Sequence, residues 1–217
     1  MTVATIAPPD IETLADLLHR LGDIPLERIR FRPSPGTATE QDVIATPRGR
    51  LCELVDGVLV EKAVGYYESW LGAILIHFLM RYLEDNDRGL VLGADGLTRM
   101  EPGLVRMPDV GFYSWEHYPN RLLPDGAFLQ RAPDLAVEIL SPSNTEREMD
   151  RKRREYFDGG AHLVWQVYPP TRRVRVYTTV DVFVELGDDQ TLDGGSVLPG
   201  FTLSVRHWFE RAGQREG

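Results

Sequence analysis

Apolar residues recur along this chain with two different periods, and the switches between them divide it. Leu14, Leu17, Leu18 and Leu21 share one face of a short helix that starts after Asp10, a good N-cap, and stops at Gly22. From Pro25 to Gly36 the prolines break any period, and Thr39 to Thr46 predicts a second short helix capped by Thr37 or Thr39. Residues 1–50 therefore read as an N-terminal helical decoration on a domain spanning 51–217. At Leu51 the period becomes two: Leu51–Val55 and Val58–Lys62 flank Asp56-Gly57, a strong hairpin turn pair.

Tyr66 to Glu84 predicts the longest helix, with Trp70, Leu71, Ile74, Leu75, Phe78, Leu79 and Tyr82 at helical spacing. Three strands are expected next: Leu90–Ala94 with a return through Leu97–Met100, then Pro108–Tyr113, then Asp134–Leu140. Thr145–Asp158 reads as a helix capped by Ser143 or Asn144, Leu163–Tyr168 as a strand, and Arg173–Thr178 as another after a Pro-Pro-Thr turn. Val182–Val205 looks like extra C-terminal strands with turns at Gly187 and Gly194-Gly195. The order from Tyr66 to Tyr168 is helix, three strands, helix, strand. This predicts an α/β fold with a mixed central sheet and a right-handed crossover between its two parallel strands.

Composition narrows the function. A chain of 217 residues suits one domain. Its net charge of -9 excludes a bulk polycation, so any nucleic-acid binding needs a local basic patch or a bound metal. The single cysteine, Cys52, excludes an internal disulfide and a Cys-built zinc site, and the five scattered histidines make no zinc spacing. The most apolar run, Leu71–Met80, is interrupted by His77 and falls short of the roughly 20 residues a bilayer span needs. No signal-peptide pattern opens the chain. These features predict a soluble cytoplasmic protein with no membrane contact.

The candidate chemistry lies on the Asp134–Leu140 strand. Leu135, Ala136, Val137, Ile139 and Leu140 are apolar on both faces, as in a central strand, yet Glu138 sits among them. A buried carboxylate needs a cation partner, a metal or a cleft. Pairing with one of the many arginines would make Glu138 purely structural. A second acid, Asp109, opens the preceding strand, and on neighbouring strands about 4.8 Å apart the two carboxylates can converge on a divalent cation. Asp134 cannot share it, since four residues along one strand place it roughly 13 Å from Glu138. The helix that follows offers cations in Arg147, Arg151, Lys152, Arg153 and Arg154, most of which suit a solvated face; Arg147, Arg151 and Arg154 are the candidate phosphate contacts, and Lys152 shares a face with Glu148 and Tyr156. Glu68, in the first turn of the long helix, is either a further ligand or a complement to the helix dipole, and Glu53 is a weaker candidate. Trp70 and Trp165 read as core residues, and Trp115 as the exposed aromatic.

The stretches Glu53–Gly57, Met107–Val110 and Pro133–Ser143, with Glu148, Lys152, Tyr156, Gly159-Gly160, Trp165 and Pro199–Phe201, resemble the Uma-two family of restriction endonucleases. That family belongs to the PD-(D/E)XK superfamily, whose core is αβββαβ. The resemblance implies a restriction-endonuclease-like fold with Asp109 and Glu138 as metal-binding acids and Glu68 as the first-helix acid. The superfamily expects a Lys two residues after the second acid. Here that position is Leu140, and Lys152 matches the place to which the family moves the Lys. The resulting expectation is an endonuclease that hydrolyses DNA with Mg²⁺, or Mn²⁺ in its stead. Lys152 would orient water or offset charge, and a homodimer would cut both strands. Two competitors stand beside it: a catalytically silent binding or regulatory module, motivated by the acidic charge, and a metal-dependent hydrolase acting on another substrate.

Overall fold

The structure, a computed structural model, describes residues 12–47, 50–63 and 65–213. Two short helices come first, α1 (Leu14–Arg20) and α2 (Glu40–Ile44). Each opens on a capping box, Thr13 with Asp16 and Thr39 with Asp42, in which the threonine oxygen accepts an orphan amide and the aspartate reaches back. The cap of α1 is thus Thr13. The sequence expectation of Asp10 lies outside the described residues.

The hairpin of β1 (Cys52–Val55) and β2 (Val58–Glu61) forms as the turn pair predicts. Asp56 and Gly57 both have positive φ, 51° and 70°, as a type I′ turn requires. Gly57 is also fixed by contact, because a Cβ there would lie 2.6 Å from the backbone of Gly36. Then come α3 (Tyr66–Asp85), β3 (Gly89–Gly93), β4 (Thr98–Glu101), β5 (Leu104–Arg106), β6 (Val110–Ser114) and β7 (Leu135–Ile139). After them run α4 (Glu146–Asp158), β8 (Leu163–Tyr168), β9 (Arg173–Tyr177), β10 (Phe183–Leu186), β11 (Thr191–Asp193), β12 (Thr202–Ser204) and α5 (Val205–Ala212).

Six strands make the central sheet, in the order β10-β9-β8-β7-β6-β3. Only β7 and β8, joined through α4, are parallel, so the sheet is mixed and α3-β3-β6-β7-α4-β8 is the αβββαβ core. A four-stranded sheet, β2-β1-β5-β4, sits beside it. Here the sequence expectation fails in one respect. The return strand after Leu90–Ala94 does not pair with it; β4 turns back on β5 and joins the small sheet, leaving β3 as an edge beside β6. The cap of α4 also differs: Thr145 Oγ1 accepts from Glu148 N, while Asn144 bonds Ser141 N and the Glu148 carboxylate.

The strand β7 shows how the layers divide. Leu135, Val137 and Ile139 pack with Leu71, Leu75 and Leu79 of α3, while Ala136 packs with Tyr156 and Val164 on the α4 side. Glu138 therefore faces α4. The C-terminal segment is not strands alone, because α5 closes the α3 layer with Val205, Trp208 and Phe209 buried. Ser204 caps it, and Trp208 donates its indole N–H to Leu71 O. Trp70 points away from that layer and is 51% exposed, although it shares the apolar run. Trp165 is fully buried and Trp115 half-buried. Among the described residues no helix is long and apolar enough to cross a membrane.

The two tryptophans should separate on truncation. Trp208→Ala should cost about 3–5 kcal/mol in urea unfolding, and Trp70→Ala no more than about 0.5 kcal/mol. Equal losses would contradict the packing described.

Candidate active site

The site is built where the central sheet, the small sheet and α4 meet. Asp109 precedes β6 and is fixed from both ends. Its N–H donates to Val137 O at 2.9 Å, and its Oδ2 accepts from Ile139 N at 2.6 Å. Since Val110 pairs with Val137, Asp109 lies beside Glu138 on the neighbouring strand. Glu138 is buried and receives Lys152 Nζ at 3.2 Å on both oxygens, with a short hydrogen bond from the Tyr156 hydroxyl. Lys152 and Tyr156 are one helical turn apart, which is why a single face of α4 supplies both.

Lys152 does not serve Glu138 alone. Its ammonium is also 3.1 Å from Glu53 Oε1, and with 2% exposure it is sealed between the two acids. Glu53 in turn accepts from Arg106 Nη1 at 2.8 Å and Met107 N at 3.0 Å. Arg106 continues to Glu155, which Arg151 holds at 2.7 Å, and Arg151 reaches Asp56 in the hairpin turn at 2.9 Å. An ionic chain, buried at Glu138, Lys152, Glu53 and Arg106 and partly exposed at Arg151 and Asp56, thus runs from β7 through α4 into the small sheet.

Charge is unequally divided along it. Burial alone would raise the Glu53 carboxyl, but Lys152 and Arg106 outweigh it and hold Glu53 well below the usual carboxylate range. Glu138 goes the other way. Burial pushes it up, Lys152 pulls against that, and the nearby charge of Asp109 raises it further. Lys152 stays protonated, because Glu138 and Glu53 raise its pKa against the burial that would lower it. Of the two acids it bridges, Glu53 keeps its negative charge more firmly and Glu138 is the readier to take a proton.

Sequence reasoning missed Lys62, just past β2. Its buried ammonium lies 2.9 Å from Asp109 Oδ1, 2.6 Å from Met107 O and 3.2 Å from Ala94 O. The signal was available in the strand period. Val58, Val60 and Lys62 alternate onto one face of the hairpin, the face Glu53 shares through its pairing with Val60. Asp109 keeps 17% side-chain exposure against 5% for Glu138, so it is the opening of the site.

The other expected residues lie elsewhere. Glu68 sits on α3, which covers the opposite face of the sheet from Glu138. Its carboxylate folds back on Gly65 at the helix start, where a Cβ would meet Oε2 at 1.9 Å. One turn on, Gly72 packs against Ile139 and Asp109 O. Among the described residues no three His, Cys, Asp or Glu side chains gather around a metal position, so Glu68 does not complete a trio with Asp109 and Glu138. Arg147, Arg151 and Arg154 occupy a different face of α4 from Lys152. Arg147 pairs with Asp23, Arg151 is committed to the ionic chain, and Arg154 is 3.5 Å from Asp181. Asp134 stands apart at the far end of β7, bonded to Ser114 N and His117.

A second buried pair ties the N-terminal segment to the site. Arg28 grips Glu148 through both terminal nitrogens at 2.9 and 2.6 Å. Burial would raise Glu148, but the Arg28 hydrogen bond and the Lys152 charge hold it below its usual value. A carboxyl depressed in the fold stabilises it fully above the unfolded value of about 4.3, and that contribution is lost as pH falls below it. The urea midpoint should therefore drop between pH 6 and pH 3.5. Glu148→Gln should be less stable at pH 6 yet lose less on acidification, so the two curves converge. Parallel curves would contradict the assignment.

Comparison with known proteins adds to this geometry. A crystal structure titled as a putative nuclease belonging to DUF820, from Anabaena variabilis ATCC 29413, superimposes with a TM-score of 0.70 at 16% identity. The match covers 80% of this chain and 98% of that one, and at such identity it shows a shared fold. No curated protein matches the chain. Residues 40–206 match the Uma2 family, described as "Putative restriction endonuclease". That span holds the core and every acid and lysine of the site, and the chain belongs to the Uma2 family.

Proposed function

We propose that the chain is a metal-dependent endonuclease that hydrolyses phosphodiester bonds in DNA. The observation that carries this reading is the side-by-side placement of Asp109 and Glu138 on neighbouring strands, each held by its own lysine. Family membership and the fold of the nuclease neighbour support a nuclease function.

The two carboxylates suit a hard divalent cation such as Mg²⁺ or Mn²⁺. They are oxygen donors, and their mutual repulsion, one cause of the raised Glu138 carboxyl, is what a cation between them relieves. Bound there, the ion would supply an acidified water and an electrostatic partner for charge developing on the phosphoryl oxygens. The chain's own residues do the positioning. Lys152 is too deeply buried to meet substrate; it fixes Glu138 against α4 while Glu53 anchors its other side. Lys62 holds Asp109 at the mouth of the site, and Tyr156 donates to Glu138. Arg154, exposed and weakly paired, is the α4 arginine best able to meet a phosphate.

A second reading is favoured by the same lysines. Each acid already has a cation, as a purely structural ion core would, and the fold would then be a silent binding module. Supercoiled plasmid separates the two. The nuclease reading predicts nicking that depends on Mg²⁺ or Mn²⁺ and stops in EDTA, with Asp109→Asn slowing it at least about a hundredfold. No nicking by either protein would favour the silent module, and equal nicking by both would remove Asp109 from the reaction.

A further inference from the structure

The stretch that leads into the hairpin carries positive charge that the fold leaves unspent. Arg30, Arg32 and Arg50 line a cleft of about 190 Å³ whose one acid is Asp42. Asp42 is already committed, since its carboxylate accepts from Thr39 N and Oγ1 to cap α2. Arg30 pairs with Glu61, but its Nε is buried without a partner. Among the described residues the guanidinium groups of Arg32 and Arg50 have neither a hydrogen bond nor an ion pair. Arg30 and Arg50 both act on the Cys52 thiol at the cleft, drawing its pKa down against the burial that pushes it up. Cys52 and Leu59 face this cleft, while Glu53 shares the other hairpin face with Val60. The cleft is thus a separate place, one strand layer from the ionic chain.

Arg32 and Arg50, which line the cleft beside Arg30 without acids of their own, repel within the roughly 8 Å screening length of physiological salt, and an anion relieves that repulsion. Planar guanidinium forks fit phosphate oxygens two at a time. Two features favour a nucleic-acid strand over a free anion. Phe31, between Arg30 and Arg32 in the chain, lies outside the cleft lining and is 60% exposed, so it offers a base of a strand leaving the cleft a stacking platform. The walls include Pro33, Pro47 and Leu59, which suit a sugar or base edge. A protein of net charge -9 also needs a local basic patch to hold nucleic acid at all.

We propose that this cleft docks a single strand of nucleic acid, with Arg32 and Arg50 on backbone phosphates and Phe31, outside the cleft, stacked on an unpaired base of the same strand. The proposal rests on the reading that the chain acts on nucleic acid.

Fluorescence anisotropy with a labelled 20-nucleotide single-stranded DNA, in EDTA so that nothing is cleaved, tests it. Arg32→Gln/Arg50→Gln should weaken binding about tenfold at 0.1 M salt and flatten the log–log salt slope by about 1.4, as expected for two lost phosphate contacts. Phe31→Ala should weaken binding about fivefold or more and leave the slope unchanged. All three side chains are exposed, so circular dichroism should show intact folding. Variant affinities within twofold of wild type, or no strand binding by wild type, would overturn the proposal. So would a double variant that loses only calorimetric binding of pyrophosphate, which would make the cleft a site for a free phosphate compound. Plasmid nicking by the same proteins keeps the readings apart. Nicking with an unimpaired double variant removes the cleft alone, and strand binding at the cleft without nicking removes the nuclease alone.

Discussion

Everything in this molecule converges on one buried ammonium. Lys152 stands between Glu53 of the small sheet and Glu138 of the central sheet, and among the described residues no other side chain contacts both carboxylates. Two acids buried without it would repel and protonate, and removing one partner of such a pair typically costs about 3–5 kcal/mol. The position of α4, which carries the lysine, is thereby fixed against both sheets at once. Glu138 is held in a central strand that would otherwise be wholly apolar, and Asp109 is aligned beside it by the Ile139 amide.

The constraint explains why α4 is built against the usual pattern. Its buried face carries Glu148, Lys152 and Tyr156 rather than a stripe of leucines. Each polar group there has a partner from a different element: Arg28 from the N-terminal segment, Glu53 from the hairpin, Glu138 from the sheet. The apolar work is done on the other side, where α3 and α5 cover Leu135, Val137 and Ile139. The division gives one sheet a dry face against α3 and α5 and a face against α4 that carries the buried ion pairs. The cost of burying charge falls on an ionic chain whose members compensate one another.

Much of this was legible in the residues. A glutamate inside an apolar strand run and an aspartate opening the strand before it pointed to Asp109 and Glu138, and the family resemblance singled out Lys152 among the cations of the next helix. Hairpin, long helix and crossover followed from period and turn chemistry. What escaped had physical reasons. Lys62 was hidden because a lysine ending a strand normally lies in solvent, and only the alternation Val58, Val60, Lys62 places it inward. Arg28 lies in a proline-broken segment with no period to orient it. The helix α5 begins where the expected strands end, at Val205, and had no prediction of its own, although Val205, Trp208, Phe209 and Ala212 have helical spacing. Trp70 misled for the opposite reason, being apolar and in an apolar run but one position off the buried stripe. Glu68 and the arginines of α4 could be assigned to a face, but only the tertiary structure shows which layer that face meets.

The central claim is that Asp109 and Glu138 are a divalent-cation site and not only part of a structural ion core. Calorimetric titration of Mn²⁺ into wild type and Asp109→Asn, with folding of both checked by circular dichroism, tests it most directly. The account predicts one saturable site in wild type that Asp109→Asn loses. No uptake by wild type, or uptake that survives in the variant, would contradict it.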